Sequence, residues 1–288
     1  MRKILSAFAF VSSITFCGAV QAAEYQIPRA LSPAPSWSWP GFYIGGDVGA
    51  KWMGNQWTAT SLRDPPGPLL GGVQLPIDGT SPSNYDSTGV RLGAYLGYNW
   101  QLSRLWLVGL EADVAWTDSQ NAPHQGFPGC SPPGASGCVA GFGYNPGAPF
   151  GGDTTSVNMR WDGSGRGRLG LLVTPDVLLY GTGGVAWQHI AATGNCGPWP
   201  TSFYCNGPPQ PIPSSLTQTT FLLGWTVGVG AEVHVIGGWL VRAEYRYANF
   251  ETWNSVFAFG STPSGDNTYR FALRPTTNIV TAGVAYKF

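Results

Sequence analysis

Apolar and polar residues alternate along this chain in runs long enough to cross a bilayer as tilted strands. Side chains point to opposite faces in turn, so each run separates into an apolar and a polar parity. Phe42, Ile44, Val48, Ala50 and Trp52 share one parity, against Tyr43, Asp47 and Lys51. The pattern recurs from Val90 to Trp100, opposed by Arg91, Gly93, Tyr95 and Asn99, and from Trp106 to Trp116, opposed by Glu111 and Asp113. Val157, Met159, Trp161, Leu169 and Leu171 oppose Arg160, Asp162, Arg166 and Arg168. Leu178 to His189 is strand-like in propensity, but glycines blur its parity and leave its faces open. The apolar set from Phe221 to Val233 opposes Glu232, and the set from Trp239 to Tyr247 opposes Arg242, Glu244 and Arg246. In the final run, Val280, Ala282, Val284, Tyr286 and Phe288 oppose Ile279, Thr281, Gly283, Ala285 and Lys287.

The connectors between these runs alternate in length. Short ones fall near Gln101–Arg104, Thr174–Asp176 and His234–Gly238, and long ones near Gly54–Asp86, Ser119–Thr154, Ile190–Gln218 and Glu251–Asn267. This order predicts an all-β fold: an eight-stranded antiparallel up-and-down transmembrane β-barrel with four long extracellular loops and three short periplasmic turns. Its last strand must pair with the strand opening at Phe42-Tyr43-Ile44, because only that pairing removes both open edges. Val284, Tyr286 and Phe288 then form the barrel-closing terminal signal. A soluble lipocalin-like barrel would carry the same pattern inverted. Trp52, Trp100, Trp106, Trp116, Trp239, Tyr286 and Phe288 cluster at strand ends as interfacial girdles do, which points to the membrane.

Composition agrees with that choice. Charged residues are only 10% of the 288, against 41 glycines and 14% aromatics. Outside the N-terminus no apolar run is long enough for a transmembrane helix. A formal net charge of +0 with no basic block argues against nucleic acid. Arg2 and Lys3, the apolar stretch Ile4–Val20 and the small-residue site at Ala22 read as a secretory signal peptide over residues 1–22. A lipoprotein reading of Cys17 is weakened by bulky Phe16. Residues 23–40 read as a Pro/Ser-rich periplasmic spacer and 41–288 as the barrel. The chain is therefore expected in the Gram-negative outer membrane after Sec export, in contact with outer-membrane lipid and lipopolysaccharide and with the barrel assembly machinery.

Export also bears on the cysteines. After cleavage Cys130, Cys138, Cys196 and Cys205 remain, in two local pairs that read as loop disulfides in an oxidising compartment. A zinc site from His124, Cys130 and Cys138 is the alternative, and it lacks a fourth ligand at ordinary spacing. The strongest constellation is the polar parity itself: Asp47, Lys51, Arg91, Glu111, Asp113, Arg160, Asp162, Arg166, Arg168, Glu232, Arg242, Glu244, Arg246 and Lys287. An eight-stranded barrel is only just wide enough for side chains, so these charges are expected to pair as a plug, with Arg166 and Arg246 meeting Glu111, Asp113 or Asp47. A charge-lined pore is the alternative. Gly165, Gly167 and Gly170 match a dinucleotide-binding spacing, but they sit inside an Arg-bearing strand and read as small packing residues. No nucleophile–base pattern accompanies the rim residue His189, so no enzyme and no cofactor are expected.

Trp39, Gly41-Phe42-Tyr43-Ile44-Gly45 and Gly49, after a Pro-rich spacer, resemble the opening of the outer-membrane immunogenic proteins of rhizobia and brucellae. Tyr180-Gly181-Thr182-Gly183-Gly184-Val185-Ala186, Glu244-Tyr245-Arg246-Tyr247 and Val284-Ala285-Tyr286-Lys287-Phe288 are similar to that family too. The resemblance implies an eight-stranded, opacity-like barrel with envelope-structural and surface-antigen or adhesion-type roles and at most modest pore activity. The long, Pro/Gly-rich, Cys-bearing loops depart from the family's usual pattern. A small porin-like channel and an outer-membrane enzyme remain the other functional readings.

Overall fold

The computed structural model describes residues 37–63, 74–75, 83–119, 123–125, 127–128, 154–195, 215–262 and 265–288. Eight long strands form the ring: β1 (Gly41–Arg63), β2 (Ser87–Gln101), β3 (Trp106–Asp118), β4 (Thr154–Thr174), β5 (Val177–Asn195), β6 (Ser215–Ile236), β7 (Trp239–Phe250) and β8 (Gly265–Lys287). Each pairs antiparallel with its sequence neighbour, and β8 returns to β1 to close the barrel. The seam runs from Tyr43 opposite Lys287 to Arg63 opposite Thr268. At its periplasmic end the Phe288 amide donates to the Phe42 carbonyl at 3.0 Å. The three tight connections lie between β2 and β3, β4 and β5, and β6 and β7. In the first, Ser103 Oγ accepts from the amides of Leu105 and Trp106, and in the last Gly237 takes a positive φ of 58°.

The membrane faces follow the expected alternation. Phe42, Ile44, Val48 and Trp52 are exposed on the outside of β1, while Tyr43, Asp47 and Lys51 are buried within. On β5, whose faces the pattern left open, Leu178, Tyr180, Thr182, Gln188 and Ile190 point inward and Leu179 and Val185 outward. Outward apolar side chains need no protein partner here because lipid tails cover them.

Several strands run further than expected. β1 continues past Gly54, where a loop is anticipated, to Arg63, and β8 begins at Gly265 rather than Asn278. The loop expected over Glu251–Asn267 contains a further strand, Trp253–Thr262, paired with the outer part of β8. Beyond the bilayer the chemistry of the two faces exchanges. On β1 the inward parity changes from Asp47 and Lys51 to Trp57 and Ala59, and the outward parity from Val48 and Trp52 to Gln56 and Thr58. Lipid rewards an apolar exterior and water an apolar interior, so a single strand reads as two patterns that break at the membrane surface.

On β4 the opposite occurs. Arg160 and Trp161 together span one position of β5, between Met159 opposite Ile190 and Asp162 opposite Gln188. This bulge turns the following side chains to the other face. Val157 and Met159 are therefore buried inside, whereas Trp161, Leu169 and Leu171 face out, although all five share one parity.

Candidate functional site: the charged lumen

Strands β1 to β7 each send charged or hydrogen-bonding side chains into the central layer of the lumen, and β8 adds the buried threonines Thr277 and Thr281. Arg91 of β2 reaches three carboxylates, with Asp47 at 2.8 Å, Asp113 at 2.5 Å and Asp162 at 3.0 Å. Lys51 donates to Asp162 at 2.7 Å and to Gln188 Oε1 at 2.5 Å. Arg246 binds Asp113 at 2.7 Å, and Ser164 donates to the same carboxylate. Arg166 spans Glu111 at 2.5 Å and Glu244 at 2.6 Å. Arg242 binds Glu111 at 2.6 Å while its guanidinium lies 3.4 Å from the centre of the Tyr95 ring. Arg168 pairs with Glu232, lies 3.9 Å from the centre of the Tyr180 ring and donates to the Tyr43 hydroxyl at 3.1 Å. The Tyr43 hydroxyl in turn donates a hydrogen bond to Glu111 at 2.8 Å, and the Tyr180 hydroxyl donates one to Glu244 at 2.9 Å.

The layer is electrically neutral. Lys51, Arg91, Arg166, Arg168, Arg242 and Arg246 are six buried cations, facing six buried anions: Asp47, Glu111, Asp113, Asp162, Glu232 and Glu244. Two residues assigned to the lumen by parity lie elsewhere. Arg160 is exposed because it occupies the β4 bulge. Lys287 is half-buried at the periplasmic rim, its ammonium 5.1 Å from the centre of the Trp37 ring. Without these two the cationic excess of the polar parity disappears. A low-dielectric tube has a physical reason for this, since an unmatched buried charge costs about 3–5 kcal/mol.

The tyrosines, Ser164 and Gln188 complete the network, and charge counting alone does not find them. Parity finds Tyr43, Tyr95 and Ser164, which share the inward positions with the acids and bases, whereas Tyr180 and Gln188 lie on β5, whose faces the pattern leaves open. The tyrosine rings fit because small residues face them. A Cβ on Gly97 would stand 2.4 Å from the Tyr43 hydroxyl oxygen.

Apolar layers cover both ends of the charged one. On the extracellular side Trp57, Phe257, Tyr269 and Phe271 stack together, with Trp57 and Phe271 ring centres 4.4 Å apart. The Trp57 indole N–H donates to the Tyr269 hydroxyl at 3.0 Å. On the periplasmic side Leu107, Leu172, Leu178 and Leu240 pack with Trp39. Trp39 and Trp37 lie in the stretch read as spacer, yet Trp39 is buried and its indole N–H donates to the Pro175 carbonyl at 2.8 Å. Trp37 stacks on His234 at 3.9 Å. Trp39→Phe keeps most of this packing and removes the hydrogen bond, so it should cost about 0.5–1.5 kcal/mol in a denaturant titration of the refolded barrel. The void lined by Lys51, Asp162, Gln188 and Arg246 is only about 10 Å³. That is at most the space of one water.

Cys130, Cys138, Cys196 and Cys205 lie outside the described residues. No group of three or more His, Cys, Asp or Glu that could hold a metal occurs among the described residues. His124 packs against the Tyr85 ring at 4.2 Å and His189 against Phe221 at 5.0 Å. Gly165, Gly167 and Gly170 stand within β4, with no helix following. Val284 and Tyr286 face outward on β8, and Phe288, exposed just past its end, contacts Tyr286 and Phe42 at ring-centre distances of 5.2 and 6.1 Å.

The family match agrees with this architecture. The model of the outer membrane protein β-barrel domain matches residues 9–288. The 31 kDa outer-membrane immunogenic protein of Brucella melitensis biotype 1 is 26% identical over 302 residues, covering 100% of both chains. The 22 kDa outer membrane protein of Rhizobium leguminosarum bv. viciae is 25% identical, over 88% of this chain and 80% of its own. Among solved structures, Neisserial surface protein A aligns over 86% of this chain and 97% of its own, at 12% identity and a TM-score of 0.34. With a closed ring of eight membrane-crossing strands and a family match over nearly its whole length, the chain belongs to the outer-membrane β-barrel protein family.

Proposed function

We propose that this barrel is a closed, non-catalytic outer-membrane anchor that supports the envelope and displays its four long loops at the cell surface. The observation that carries this reading is the neutral layer of six cations and six anions, sealed above and below by aromatic and aliphatic side chains. Such a layer opposes ion passage in two ways. It has no net charge to concentrate a counter-ion, and displacing any guanidinium strands a carboxylate in a low-dielectric tube. The names of the Brucella relatives as immunogenic outer-membrane proteins support the surface display.

Conductance tests the reading directly. The protein refolded in detergent and inserted into planar bilayers should give no steady channel current, while its band on unheated gels still shifts on boiling. Sustained, reproducible conductance from that heat-shifting material would replace the closed anchor with a porin.

A further inference from the structure

Beyond the bilayer, β1, β8 and the strand Trp253–Thr262 continue as a three-stranded sheet whose outer face carries no large exposed apolar side chain among those described. Among the described side chains, two arginines stand on that face. Arg274 lies opposite Gln56 of β1, and Arg270 lies between Ser61 of β1 and Val256 of the added strand. Both are exposed, and neither forms an ion pair among the described residues, whereas all six buried cations do. Among the described side chains, two carboxylates border the face. Asp86 stands over Gly54 at its foot, and Glu251 is engaged with the Leu223 amide at 3.4 Å.

We propose that this face binds the phosphorylated head of the outer-leaflet glycolipid, with Arg270 and Arg274 as its anion-binding residues. Depth is the first reason. Trp52, the last large apolar side chain described on the outside of β1, pairs with Asn278 and marks the membrane interface. Arg274 is four positions further out, about 13 Å along the strand and less in height because barrel strands tilt. That is head-group depth, and Arg270 follows another four positions out. Direction is the second reason. Side chains stand perpendicular to a sheet, so both guanidiniums project sideways toward neighbouring lipid heads rather than up into solvent. Chemistry is the third. A guanidinium fork fits phosphate oxygens in bidentate fashion, and a paired sheet holds two forks at fixed separation. The intervening outward residues, Ala272 and Thr58, leave room between them.

The test uses the full chain refolded into bilayer discs containing purified lipopolysaccharide, the same lipopolysaccharide after chemical dephosphorylation, or phosphatidylglycerol. Glycolipid retained after detergent extraction is read by native mass spectrometry. R270Q/R274Q should retain about three- to tenfold less phosphorylated glycolipid than the parent, and R270K/R274K an intermediate amount. Dephosphorylated glycolipid should not distinguish the parent from R270Q/R274Q. Retention by the parent alone should also fall as salt shortens the screening length, which tests the charge without any variant. Equal retention by the parent and a heat-shifting R270Q/R274Q overturns the proposal. So does equal loss with dephosphorylated glycolipid, or phosphatidylglycerol held as tightly as lipopolysaccharide.

Discussion

Arg166→Ala is expected to destabilise the barrel by about 3–5 kcal/mol. Arg166 is the ion-pair partner of Glu244 among the described residues, and one of three cations around Glu111. Its removal leaves Glu244, among the described residues, with only the Tyr180 hydroxyl as hydrogen-bond partner and gives the sealed layer an excess negative charge. The measurement is the urea midpoint of the refolded protein, followed by the gel mobility of the unheated sample. Arg160→Ala is the matched control: an exposed arginine of the same strand and parity, whose loss should stay within about 0.5 kcal/mol. Adding Glu244→Gln to Arg166→Ala restores neutrality and should recover part of the loss, a coupling that a double-mutant cycle reads out. If the two single arginine variants melted together, the lumen network would carry no structural weight.

Gly49→Val should nearly abolish the folded barrel. Gly49 lies on the closing seam, opposite Thr281 of β8. A Cβ there would stand 1.9 Å from the Val280 carbonyl oxygen and 2.8 Å from the Thr281 Cα. Both are backbone atoms held by the β1–β8 pairing, so no side chain can turn aside to make room. The seam would have to open, and an open edge in lipid leaves unpaired amides and carbonyls that cost several kcal/mol each. The heat-shifting fraction after refolding is the readout. Gly46→Ala is the control, since its Cβ would meet only the Gly93 carbonyl at an ordinary 3.5 Å. A Gly49→Val protein that folds as well as Gly46→Ala would show the seam to be far more compliant than its geometry implies.

The two variants test parts of the molecule that were not equally visible in the sequence. Alternation shows that Arg166 points inward, and neutrality of a narrow tube shows that it must be paired. Which acid it meets depends on the stagger of strands far apart in the chain, and alternation does not contain that. Nothing about Gly49 distinguishes it from its neighbouring glycines until β8 is laid beside β1. Arg160 is the clearest difference. It shares parity with Arg166 and Arg168, and only the unpaired position at the bulge turns it outward.

What the sequence by itself determined was the membrane part of the fold: strand number, connector order, the lipid face of seven strands and the pairing of last strand with first. These follow from a period of two and from lipid excluding unpaired backbone, both of which are local or topological constraints. Tertiary structure alone decided three further things. It set how far the strands continue past the membrane, where the apolar face changes side and the pattern breaks. It brought Trp39 under the barrel mouth through a contact with Pro175, 136 residues away in the chain. It also reduced the polar parity to a balanced layer, because a bulge and a rim position removed Arg160 and Lys287. Each is a matter of which solvent or partner a side chain meets, and that is settled only when distant strands are brought into register.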